Sequence, residues 1–202
     1  MRFLYVTLIV FFNTFTILAA DLIEIPESQS PNGKYAFRMI DNQPNECEVV
    51  GNLQLIEHET KAVLVSISIN GYARFPYNTD KENLKISWSP TSTYVAITTR
   101  DTKRTWGSKI YRLENGKLTE VKIHNLTNYV FELLKAKKCF RYIRQTPERW
   151  INDNTLLVQL QGDAITPNQV SPVIKYDTKI IISIPSGEIR EFTPLSIKPE
   201  EG

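Results

Sequence analysis

The sequence predicts an all-β fold carrying one helix, built as three antiparallel β-meander units, and three features predict it. The first is the segment from Ile86 to Val121. It reads Ile86-Ser87-Trp88-Ser89-Pro90, a polar turn Thr91-Ser92-Thr93, the apolar run Tyr94-Val95-Ala96-Ile97, a charged tip from Arg100 to Arg104, then Lys109 to Leu113, Asn115-Gly116, and Leu118 to Val121. Short β-branched and aromatic runs separated by Pro, Asn-Gly and charged clusters are the signature of a meander. The second feature is looser repetition of this pattern about 60 positions away on either side: Ser30-Pro31 precedes Ser89-Pro90 by 59 residues, and Trp150 stands where Trp88 does. The third is that only one segment carries a helical apolar stripe.

Taken in order, Asp21 to Gln29 reads as a polar lead, and Ser30-Pro31-Asn32-Gly33-Lys34 as a turn in which Gly33 supplies a positive φ. Tyr35 to Ile40 is a strand. Asp41 to Glu48 is a loop, and Leu53–Ile56 and Ala62–Ile69 form a hairpin around His58 to Lys61. Asn70 to Asn83 is connection, with Tyr72, Phe75 and Tyr77 around Pro76. After the second unit comes the helix, near 126–142, capped by Asn125 or Thr127. Its stripe of Tyr129, Val130, Leu133, Leu134 and Phe140 needs a partner, so it is expected to cap or insert against the sheets. The basic residues between Lys135 and Arg149 read as the solvated face of this helix and the following loop. The third unit opens at Trp150, turns through Ile151 to Asn154, and continues as Thr155–Leu160. A loop follows from Gly162 to Pro172, then strands Val173–Tyr176 and Lys179–Ile184, the turn Pro185 to Glu188, and Ile189–Phe192. The units thus span about 30–69, 86–121 and 149–193.

The first twenty residues set the compartment. Arg2, the apolar run Leu4 to Leu18 and the small pair Ala19-Ala20 before Asp21 form an export signal with cleavage after Ala20; the other reading is an uncleaved anchor helix. A secreted or periplasmic chain follows, one β-rich domain over 21–202 with no membrane span once the signal is removed. At that length it buries enough surface to fold without metals or multiple disulfides. With 24 basic against 22 acidic residues it lacks the footprint of a nucleic-acid binder. Cys47 and Cys139 are the two cysteines. In an oxidising compartment they either pair, closing a long loop, or stand as two separate buried thiols.

Chemistry-bearing residues are sparse. His58 sits between two glutamates in a hairpin tip and His124 precedes the helix, and neither has ligand-spaced partners, so no metal and no cofactor is implied. There is no Gly-x-Ser-x-Gly elbow, dinucleotide fingerprint or phosphate-cradling loop. Asp41, Glu46, Glu48, Asp101, Asp153 and Asp163 lie in loops or turns and would have to converge to within roughly 5–10 Å for paired-carboxylate catalysis. Asn125-Leu126-Thr127 is a glycosylation sequon or simply a helix cap. Among the tryptophans, Trp88 and Trp150 suit packing between sheets. Trp106, bracketed by Arg100, Lys103 and Arg104, is either the candidate contact point for a partner or a ring simply buried under the tip.

The phrases Ser30-Pro31-Asn32-Gly33-Lys34-Tyr35-Ala36-Phe37 and Trp88-Ser89-Pro90-Thr91-Ser92-Thr93-Tyr94-Val95-Ala96-Ile97 resemble the blade openings of TolB-type, WD-like β-propeller repeats. Leu113 to Leu118 and Ile184 to Ile189 resemble the closing hairpins. The resemblance implies blade-like units from about Ser30 to Phe192. It departs at Thr91-Ser92-Thr93, where Asp-Gly-Lys is expected, and in the missing Ser-Pro of the third unit. Propellers close with about 4 to 8 blades. Three units therefore leave an incomplete open array, a ring completed by a second chain as a homodimer, or a different sandwich. Two functions follow: an exported non-catalytic binding or scaffold module for a protein or glycan, or a secreted hydrolase acting on glycans or peptides through loop carboxylates.

Overall fold

The computed structural model describes residues 21–25, 27–41, 49–71, 84–102, 104–134, 140–165, 173–191, 193 and 196–199. The signal segment, Cys47, Cys139, Lys103 and the aromatic connection with Tyr72, Phe75 and Tyr77 lie outside them. The fold is all-β with one short helix. A four-stranded antiparallel sheet comprises β1 (Asp21–Glu24), β2 (Tyr35–Asp41), β3 (Val49–Glu57) and β4 (Val63–Gly71) in sequential order. A second meander comprises β5 (Leu84–Trp88), β6 (Tyr94–Thr102), β7 (Thr105–Glu114) and β8 (Lys117–Glu120). After helix α1 (Leu126–Leu134), a third is made by β9 (Phe140–Asn152), β10 (Thr155–Ile165), β11 (Val173–Ser183) and β12 (Glu188–Glu191), with β13 (Ser196–Pro199) added on β11. The second and third meanders join into one mixed sheet through a short parallel pairing of β7 with β9, at Thr105↔Ile143 and Trp106↔Arg144, and the sheets do not close into a barrel.

Several boundaries differ from the sequence reading. The polar lead Asp21–Glu24 is a strand, because it finds the free edge of β2. The helix ends at Leu134 rather than near 142, and Phe140 opens a thirteen-residue strand. The Tyr142-Ile143 segment has strand propensity and finds a neighbour on each side, β10 and β7, so tertiary pairing overrides the apparent helical stripe. Arg141, Arg144 and Arg149 are accordingly part of a central strand, not a solvated helix face or loop, while Lys135, Lys137 and Lys138 lie outside the described residues. The expected loop from Gly162 is the continuation of β10 to Ile165, and the expected break at Asp177-Thr178 is absent from β11.

The three meanders stack, and the middle one is buried on both sides. Strand alternation sends Val95 and Ile97 of β6 into one core with Phe37, Leu53, Leu55 and Ile69. It sends Tyr94 and Ala96 into the other, with Leu156, Val158, Leu160, Ile180 and Ile182. Helix α1, capped by the Asn125 carboxamide accepting from the Asn128 amide at 3.1 Å, places Leu126 and Val130 in this second core.

The turns that open the first two meanders are the same structure. In the first, the Ser30 amide donates to the Tyr35 carbonyl and the Tyr35 amide donates to Ser30 Oγ; in the second, Ser89 and Tyr94 repeat both bonds. The positive φ that Gly33 adopts (73°) is taken by Ser92 (64°), a strained conformation for a residue with a Cβ. Ser92 has a use glycine lacks: its Oγ accepts the Asn32 amide of the neighbouring turn at 3.1 Å. One layer further, the Thr91 amide donates to the Asp153 carboxylate at 2.9 Å, and these bonds from Thr91 and Ser89 hold the Asp153 carboxyl below its ordinary range. Three turns are thus tied in a row.

A second tie repeats with equal regularity. Trp88 stacks on Tyr35 (6.4 Å, 22°) and donates its indole N–H to the Ser28 carbonyl at 2.8 Å. Trp150 stacks on Tyr94 (6.2 Å, 20°) and donates to the Ser87 carbonyl at 3.0 Å. Each indole reaches from one meander to the carbonyl two residues before the turn's first position in the preceding one. Beside Trp88 the first interface also holds Phe37 (5.6 Å), whereas Ala96 occupies the matching place under Trp150, in the core that α1 enters. Replacing Trp88 or Trp150 by Phe keeps a ring and removes the donor. Each change should cost about 1–2 kcal/mol in urea unfolding, chiefly from the carbonyl left unpaired; unchanged midpoints would show that the indole bonds are incidental.

Candidate functional site

Trp106 is not an exposed contact. It is 7% exposed, with Tyr142 against it (ring centroids 5.3 Å, tilted 56°) and the guanidinium groups of Arg100 and Arg144 at 4.7 and 5.7 Å from its ring centroid. It is buried because β9 crosses there: the Ile143 amide donates to the Arg104 carbonyl, and Ser108 Oγ bridges Thr98 Oγ1 and the Gln145 carbonyl. Arg104 therefore borders the seam between β7 and β9, and Arg100, opposite Trp106 on β6, covers the ring there.

The carboxylates considered for catalysis go to different places. Asp153 is engaged by the second turn. Asp101 accepts from Thr99 Oγ1 at 2.8 Å and lies over Gly107, where a Cβ would stand 2.5 Å from its Oδ2. Asp163 lies on β10, directly opposite Lys175. The side chains of Asp41, Glu46 and Glu48 lie outside the described residues. Among the described residues no three His, Cys, Asp or Glu side chains gather as a metal site, and no helix is long and apolar enough to cross a membrane.

A groove of about 570 Å³ lies on the third meander, lined by Tyr142, Gln161, Asp163, Lys175, Asp177 and Lys179, with Thr193 and Ser196 at one side. Its floor is the face of β10 and β11 that points away from the other meanders. Cross-strand register sets donors against acceptors: Asp163 faces Lys175, and Gln161 faces Asp177. The Asp177 carboxylate accepts from both Gln159 and Gln161 at 3.0–3.3 Å, and Lys179 pairs with Glu148 at 2.5 Å. At the end of the groove the Tyr176 ring lies across Gly162, where a Cβ would come within 2.5 Å of the hydroxyl and 2.2 Å of the Tyr142 carbonyl. Burial, then the charge of Asp163, pushes the Tyr176 hydroxyl well above the ordinary range, so it stays neutral. The arrangement can hold a hydrogen-bonding ligand. The sequence pattern hides this groove, because 140–149 reads as helix and loop and 162–172 as loop. The signal was there in the period-two run Leu160-Gln161-Gly162-Asp163-Ala164, whose polar members face outward.

A second cavity, about 390 Å³, opens between the first two meanders, with Leu53, Ile67, Ile69 and Ile97 below and Asp101, Lys109 and Tyr111 around it. Burial, with Glu120 adding its charge, pushes the Tyr111 phenol up to about 12. The unfolded chain ionises this phenol near its ordinary value of about 10. The neutral phenol's contribution is therefore fully present below pH 10 and lost as pH rises through about 12. Over that window the melting temperature of the native chain should fall more steeply than that of Tyr111→Phe; parallel slopes would contradict the assignment.

No protein-family model matches the chain, and no curated protein matches it.

Proposed function

We propose that this chain is an exported, non-catalytic binding module: three TolB-type, WD-like blade units stacked into a rigid open array that presents the groove on its third unit to a hydroxyl-rich ligand, a glycan. The observation that carries the reading is the composition of that groove. Carboxylate, carboxamide and ammonium groups alternate across two paired strands, with the hydroxyls of Thr193 and Ser196 at one side and one aromatic wall at Tyr142. A polyhydroxylated ligand offers donors and acceptors at similar density, and an aromatic wall suits the apolar face of a sugar ring. Opposite charges placed across the strands leave the groove without the single-sign field that an ionic ligand would need.

Export rests on the apolar run Leu4 to Leu18 and the Ala19-Ala20 pair, directly before the residue that opens β1. The blade reading rests on the repeated turn and indole ties, which recur between the two interfaces as equivalent blade contacts would. Asp101, Asp153 and Asp163 lie against different partners, at Thr99, Thr91 and Lys175 respectively, which favours binding over hydrolysis.

The test is calorimetric titration of the purified chain with a panel of neutral and charged oligosaccharides. At least one should bind, and Gln161→Ala and Asp163→Ala should each weaken it tenfold or more while leaving the melting temperature within about 2 °C, as expected for half-buried polar positions outside the apolar cores. Binding that ignores both substitutions, or no binding across the panel, would overturn the proposal.

A further inference from the structure

We propose that two copies of this chain associate edge to edge through β4, antiparallel, so that their four-stranded sheets run on as one. A sheet edge offers a row of backbone N–H and C=O groups to any extended chain, and proteins ordinarily blunt it by shortness, charge or proline. Among the described residues the other outer strands follow that rule. Strand β1 is Asp-Leu-Ile-Glu, β5 is Leu-Lys-Ile-Ser-Trp, β8 is Lys-Leu-Thr-Glu, β12 is Glu-Ile-Arg-Glu and β13 is Ser-Ile-Lys-Pro, each four or five residues long and each charged. Strand β4 breaks it. It is nine residues long, Val-Leu-Val-Ser-Ile-Ser-Ile-Asn-Gly, with neither charge nor proline, and among the described residues no strand pairs with its outer edge. Val63 and Leu64 are 44% and 38% exposed, and Ser66 and Ser68 are exposed beside them.

A second copy fits this edge because β4 is self-complementary about Ile67. An antiparallel two-fold axis at that residue sets Ser66 opposite Ser68 of the partner subunit and Val65 opposite Ile69 of the partner subunit. The β-branched row then lies on the core side of both sheets. The serines lie on the polar side, where Gln54 and Asn52 already bond to them across β3. A two-fold pairing brings each strand against its own reverse, so an uncharged strand meets no like charge, whereas any of the other edges would. Among the described residues the outward faces of the first and third meanders are less suited to such contact than this edge. The outer face of the first meander is a polar ladder, Arg38 to Gln54 to Ser66, and that of the third carries Gln159, Gln161 and Asp177. Neither suits the dry face-to-face packing that would close a ring.

Light scattering after size exclusion, on the purified chain over a range of concentrations, should give twice the protomer mass. Ser66→Lys with Ser68→Lys sets lysine against lysine across the axis and should leave only protomer. Ser66→Lys with Ser68→Glu sets lysine against glutamate in this register alone and should restore the dimer, with circular dichroism unchanged in both variants. A native chain that stays monomeric overturns the proposal. So does a dimer that survives the double-lysine change, or a lysine–glutamate variant that fails to reassociate.

Discussion

The structure depends on a contact made twice: an indole reaching out of one meander, lying on a tyrosine of the one before it and donating its N–H to a backbone carbonyl there. Meanders of this kind are apolar on at least one face and marginal alone. What turns three of them into a protein is a defined register between layers, and apolar burial is too non-directional to supply it. The Trp88–Ser28 and Trp150–Ser87 bonds do so, because a donor about 3 Å from one carbonyl fixes the sliding of one sheet over the next. The turn-to-turn bonds from Asn32 to Ser92 and from Thr91 to Asp153 fix the same register a few residues away.

That arrangement also explains where the stack ends. At the first meander the place held by Trp88 and Trp150 is filled by Gln29, and at the third the place held by Tyr35 and Tyr94 is filled by Thr155. The outward faces lack the ring pair and are covered instead by carboxamide, hydroxyl and charged side chains. Repeat arrays need polar outer faces on their terminal units to remain in solution. The groove proposed as a ligand site lies on one of these faces, so the surface that terminates the stack is also the one free to bind.

Much of the fold was legible in the sequence, and for identifiable reasons. The middle unit announced itself because β6 is buried on both sides, which makes Tyr94-Val95-Ala96-Ile97 a continuous apolar run, and because Asn115-Gly116 adopts the two positive φ values a tight hairpin turn requires. The equivalence of Trp88 and Trp150 was readable from spacing alone. The segment from Phe140 was not. Its strand character comes from pairing with β10 and β7, which are remote in sequence, while locally it continues a helical stripe. Because that strand was missed, the covering of Trp106 by Tyr142 and Arg144 was missed too, and so was the groove, whose wall and floor lie on β9 to β11. In the second turn, serine at a glycine position looked like loss of the motif. Its side chain is in fact one of the bonds between layers.

The account stands most directly on the two indole N–H groups, and hydrogen exchange of their resonances by NMR measures them. If the indole bonds hold the layers in register, both protons exchange slowly and at rates matching the slowest backbone amides of β6, since releasing either requires the stack to open. Exchange of either proton on the timescale of a freely exposed indole, while β6 stays protected, would mean that the layers hold together without them.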